Sequence, residues 1–173
     1  MLVTLWRSFF AICCFSSNPQ SLPASRELAV LCVLGYAASS FLLALVTQSM
    51  QIAILSGLLD ALLLAVISYA LLLIWRLPQR WLQTTTALAG TGIIFSVAAI
   101  PLSYLLANIS ANNPLALLLF LFVISLLVWN IGVMAHIMRH ALSSSFAMGV
   151  LVAMFHVWAI TAAINNLFSP QSI

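Results

Sequence analysis

Between Glu27 and Phe168 the sequence is a succession of five apolar runs, covering about 27–47, 52–75, 84–107, 114–138 and 145–168. Each exceeds 20 residues, and at 1.5 Å of rise per residue that is enough to cross roughly 30 Å of hydrocarbon as an α-helix. The breaks between them, Gln48 to Gln51, Arg76 to Gln83, Asn108 to Asn113 and Arg139 to Ser144, are short and carry polar or turn-forming residues. Short connections make successive helices antiparallel neighbours. The pattern predicts an all-α polytopic membrane protein with five transmembrane helices. Composition closes the alternative of a soluble fold. With 65% apolar and 4% charged residues, the chain lacks the polar surface that a water-soluble domain of this size must present.

The first 26 residues form a separate segment. Residues 2–15 (LVTLWRSFFAICCF) are apolar but too short to span, and no small-x-small cleavage site follows, so they read as an uncleaved short helix lying at the membrane interface. Leu2, Leu5, Trp6, Phe9 and Cys13 fall on one side, with Thr4, Arg7, Ser8 and Ala11 towards the other. Pro19 and Pro23 interrupt the linker at 16–26. Ser25 then caps the first span, with Glu27 in its first turn where the helix dipole favours an anion. The bundle proper is 27–168, followed by a short tail at 169–173.

All the basic residues are arginines, and their positions set the topology. Arg7 and Arg26 precede the first span, Arg76 and Arg80 lie between the second and third, and Arg139 lies between the fourth and fifth. Every positive charge therefore falls on one side of a five-span chain, which the positive-inside rule places in the cytoplasm. The N-terminus is then cytoplasmic and the C-terminus on the opposite side, an arrangement that fits a bacterial inner membrane. Trp75 and Trp81 flank the second arginine-bearing connection as interface anchors. The scattered arginines make no nucleic-acid stripe. Cys13, Cys14 and Cys32 do not read as a disulfide framework.

Few residues within the spans offer chemistry. Asp60 is the one acid inside a span, and an intramembrane carboxylate must face protein or water. His156 in the fifth span and Asn130 in the fourth lie within about a turn or two of it in depth. Asp60, Asn130 and His156 thus read either as an intramembrane proton or ion relay or as interhelical hydrogen bonds that fix packing. A third reading has Asp60 protonated. His136 and His140, four residues apart and alternating with Met134 and Met138, are candidate metal ligands. No HExxH or paired CxxC accompanies them, and they read as interface histidines with no cofactor. A haem between His136 and His156 fits poorly, because their depths differ by roughly 13 Å. Gly57, Ala61 and Ala65, the pair Gly149 and Ala153, and the run Ala89-Gly90-Thr91-Gly92 are faces on which helices can approach closely. Pro101 predicts a kink in the third span. No nucleophile–base pair or phosphate loop appears.

The segment NPQSLP ahead of the first span, the loop RLPQRWLQ, a span carrying AAIPL and the closing pattern LLVWNIGVMAHIMRHALSSSFAMGVL resemble the Yip1 family of five-span membrane proteins, in particular its bacterial members. The likeness covers most of the chain and is one of layout. It implies a five-helix bundle that organises membranes or partners, with no catalytic residues to carry over. The sequence reading is accordingly a non-enzymatic scaffold or accessory subunit with a protein partner or a second copy in the bilayer. The alternatives are a small transporter, channel or proton-coupled subunit using Asp60 and His156, and a metal- or haem-binding membrane protein.

Overall fold

A computed structural model describes residues 2–110 and 112–168. Six helices follow one another: α1 (Leu2–Cys13), α2 (Arg26–Ala44), α3 (Met50–Ile74), α4 (Trp81–Asn108), α5 (Pro114–Leu142) and α6 (Phe146–Phe168). Five of them, α2 to α6, are long and apolar enough to cross a membrane, as the hydropathy pattern predicts. The tail at 169–173 lies outside the described residues.

Local chemistry accounts for the helix ends. The Ser25 hydroxyl accepts a hydrogen bond from the Leu28 amide and starts α2. Asn113 does the same for Leu115 ahead of Pro114, whose missing N–H costs nothing at the first helical position. At its far end, α5 closes on Ser143 in the left-handed region (φ 51°). There the Arg80 guanidinium donates to the carbonyls of His140 and Ala141 and to the Ser143 hydroxyl at 3.3, 3.1 and 2.7 Å. Arg80 thus ties the start of α4 to the end of α5, supplying donors that the last turn of a helix lacks.

The five long helices close into a ring in the order α2–α3–α6–α5–α4, with α3 also touching α4 across it and α3 meeting α6 along the thinnest seam. Small residues set the closest approaches. A Cβ on Gly57 would come within 2.8 Å of the Ala37 carbonyl and the Phe41 amide of α2, and one on Gly149 would run into the Ala135 carbonyl of α5. These are the faces that the sequence singles out for close packing. Elsewhere the helices present bulky apolar side chains outward, as lipid requires: Leu117, Phe122 and Val128 on α5 are all more than half exposed.

α4 is the centre of the end of the bundle that bears Arg26, Arg76, Arg80 and Arg139. Every residue from Thr84 to Gly92 is buried. The threonines there satisfy their own hydroxyls, Thr84, Thr86 and Thr91 each donating to the carbonyl four residues earlier at 2.7–2.8 Å. α4 continues as a helix through Pro101, but beyond Ser96 its residues leave the interior and the bundle is no longer filled.

The N-terminal segment forms the short helix expected. α1 packs on α4 and α5. Phe9, Ile12 and Cys13 are buried, whereas Trp6 and Phe10 are more than half exposed, so the buried face is rotated away from Trp6. Gly90 leaves room for the Phe9 ring. The Trp129 indole donates to the Cys13 carbonyl at 3.0 Å, and the His136 ring meets the Ser17 carbonyl at 3.2 Å. Trp129 lies roughly 20 Å along α5 from Leu142, so residues 13–17 descend alongside α5 to its middle. Burial against protein, which hydropathy does not report, holds them there.

Candidate functional site

Where α4 leaves the centre, a cavity of about 450 Å³ opens between α2, α3, α4 and α5. It begins at Thr47 and Gln48, in the connection between α2 and α3 at the end of the bundle opposite the arginines. It reaches inward to Tyr36, Asp60 and Asn130. A smaller void lies inward of it, sharing Tyr36, Phe95 and Asn130 and walled by Leu64, Leu88 and Met134.

Asp60 is the focus. Its Oδ2 accepts hydrogen bonds from the Tyr36 hydroxyl at 2.8 Å and the Ser40 hydroxyl at 2.9 Å. The two donors stand four residues apart on α2, hence on one face, and that face reaches Asp60 because Gly57 and Ala61 let α2 and α3 come together. Gly92 makes the matching space for the Tyr36 ring on the α4 side. The second oxygen, Oδ1, is buried and has no hydrogen-bond partner among the described residues. Across the chamber, Ser96, Ser103 and Asn130 line the wall. Among the described residues no basic side chain lines it and Asp60 is the sole ionisable acid in its walls. Phe95 and Tyr36 add aromatic surface.

The candidates drawn from sequence are thus divided. Asp60 and Asn130 share the chamber, whereas His156 does not line it. His156 sits on the buried stripe of α6 with Gly149, Val152 and Ala153, 3% exposed, with neither ring nitrogen hydrogen-bonded among the described residues. α3 and α6 touch, but the partners of Asp60 come from α2. A relay through Asp60, Asn130 and His156, one of the readings that the sequence leaves open, is therefore not assembled at one place. His136 and His140 do come together, with ring centroids 4.7 Å apart, and Phe15 packs edge-on against His136 at 5.3 Å. Among the described residues no group of three or more His, Cys, Asp or Glu side chains is placed to hold a metal ion. Cys13, Cys14 and Cys32 are free thiols.

Sequence reasoning missed Tyr36, Ser40, Ser96 and Ser103. Their signal is a periodic one. Tyr36, Ser40 and Thr47 recur on one face of the first span, and Ser96 and Ser103 are seven residues apart on the third.

No known family matches the chain. No curated protein and no solved structure matches it either.

Proposed function

We propose that this membrane protein binds a small cationic solute in the chamber, with Asp60 as the charged anchor, and works as a cation carrier or cation-coupled subunit. The observation that carries the reading is a carboxyl group with one oxygen held by two hydroxyls and the other without a partner among the described residues, in a chamber that none of their cationic side chains lines. A buried polar atom without a partner costs free energy, and a buried unpaired carboxylate costs more. Asp60 therefore holds either a proton or a bound cation. Binding of a monovalent cation then releases one proton when the chamber starts protonated, which makes the site a natural exchanger. The chamber volume lies within the roughly 300–1,000 Å³ of ordinary small-ligand sites. Ser96, Ser103 and Asn130 supply hydrogen bonds, and Phe95 and Tyr36 supply faces for an ammonium group.

The test is proton release and thermal stabilisation of the purified protein on titration with sodium, potassium, methylammonium and tetraethylammonium. Stabilisation by at least one cation, with proton uptake on its removal, is expected. Indifference to all four overturns the cation reading and returns the protein to the scaffold or accessory-subunit class that its Yip1-like layout suggests.

A further inference from the structure

A second cavity, of about 610 Å³, lies on the opposite half of the molecule between α2 and α4, floored by Ala65 of α3. Its lining has a direction. Arg26, Val30 and Leu34 recur at four-residue intervals along one stripe of α2, so a cationic end at the arginine-bearing side of the bundle leads, over roughly 12 Å, to apolar surface within the membrane. Trp81 forms the facing wall. Its indole N–H already donates to the Ala65 carbonyl at 3.1 Å and its ring is held edge-on by Tyr69 at 5.4 Å. What Trp81 offers the groove is therefore a fixed apolar face rather than a free donor.

The charged end is unspent. The Arg26 side chain is exposed and makes no hydrogen bond or ion pair among the described residues, in contrast to that of Arg80, which is committed to the end of α5. Glu27 follows Arg26 in sequence but does not line the groove. Gln79 does, at the same end, and the positive end of the α2 dipole adds to the field there. Val30 and Leu34 remain 51% and 60% exposed, so no part of the described chain covers the apolar end.

We propose that this groove binds an anionic phospholipid from the leaflet at the arginine-bearing end. The phosphate sits on Arg26 beside Gln79, and one acyl chain lies along Val30 and Leu34 against Trp81. A cation at the membrane border continued inward by apolar wall matches the order of groups in such a lipid, and basic pockets between helices on this side of a membrane are suited to anionic head groups.

The full chain is purified in mild detergent, exchanged against matched-chain phosphatidylglycerol or phosphatidylcholine, and the retained lipid is counted by native mass spectrometry. One phosphatidylglycerol is retained in preference to phosphatidylcholine. Arg26→Gln lowers that preference about fivefold, the factor one surface arginine supplies, while Arg76→Gln leaves it unchanged. Leu34→Trp, which fills the groove, lowers retention of both lipids. The proposal is overturned if the two lipids are retained alike. It is overturned equally if Arg76→Gln acts as strongly as Arg26→Gln, since the attraction would then be the general field of this face. A dimer whose formation is abolished by Leu34→Trp would give the groove to a second copy instead. None of these outcomes depends on Asp60.

Discussion

Asp60→Asn separates the charge of the chamber from its shape. The asparagine carbonyl oxygen can accept from Tyr36 and Ser40 where Oδ2 now does, at 2.8 and 2.9 Å. The amide group then takes the place of Oδ1, which has no partner to lose among the described residues. Folding survives, with at most the difference between charge-assisted and neutral hydrogen bonds, about 1 kcal/mol for each. Ligand binding does not. A monovalent cation about 4 Å from a carboxylate, at an effective dielectric constant of about 20, gains about 4 kcal/mol. Desolvation and the hydrogen bonds that an amide can still offer reduce the difference to about 2–3 kcal/mol. The expected loss of affinity is then about 30- to 150-fold, read by thermal stabilisation against the cation that binds the unaltered protein most tightly. Proton release on binding should vanish as well, because the amide carries no titratable proton. Affinity within twofold of the unaltered protein would refute the assignment of Asp60 as the anchor.

Other substitutions probe the frame that holds the chamber. Gly57→Val places side-chain atoms against the backbone of Ala37 and Phe41, and should destabilise the protein by about 1–3 kcal/mol in a denaturant titration while pushing Tyr36 and Ser40 away from Asp60. Trp129→Phe keeps the edge-on contact with Phe95 at 5.5 Å but removes the hydrogen bond to Cys13. A loss of about 0.5–1.5 kcal/mol and faster proteolysis within residues 2–15 are expected, with cation binding unchanged. Arg80→Gln strips three hydrogen bonds from the end of α5, and hydrogen exchange should rise at residues 139–145 before anywhere else in the bundle.

The five spans were legible because bilayer thickness leaves few solutions for runs of that length, and the observed helices begin and end within a few residues of the apolar boundaries. Gly57 and Gly149 were legible for a related reason: a missing Cβ on a spanning helix has few uses other than close packing. Asp60 drew notice as the lone acid deep within a span, Glu27 lying in the first turn of α2. Its partners did not, because Tyr36 and Ser40 are ordinary residues whose role depends on which helix lies opposite, and helix adjacency in a ring is a tertiary fact. The pairing of Asp60 with His156 was open on depth alone. Depth says how far along the membrane normal two residues lie, not which faces they occupy, and His156 proves to lie on the inner stripe of α6, outside the chamber. The packing of α1 against α4 and α5 was illegible for a comparable reason. Its hydropathy suits a membrane surface and a groove between helices equally well, and the difference lies in the space that Gly90 leaves for the Phe9 ring.

The account rests on a chamber that leads from the end of the bundle opposite the arginines to Asp60. In protein whose three native cysteines are replaced by alanine, Ser103→Cys and the deeper Ser96→Cys can each be labelled in sealed vesicles with a membrane-impermeant thiol reagent added from one side at a time. Both positions should react with reagent from the side opposite the arginines, and the cation that stabilises the protein should slow the reaction at Ser96→Cys. Reaction of neither position, or reaction only from the arginine-bearing side, would contradict the account.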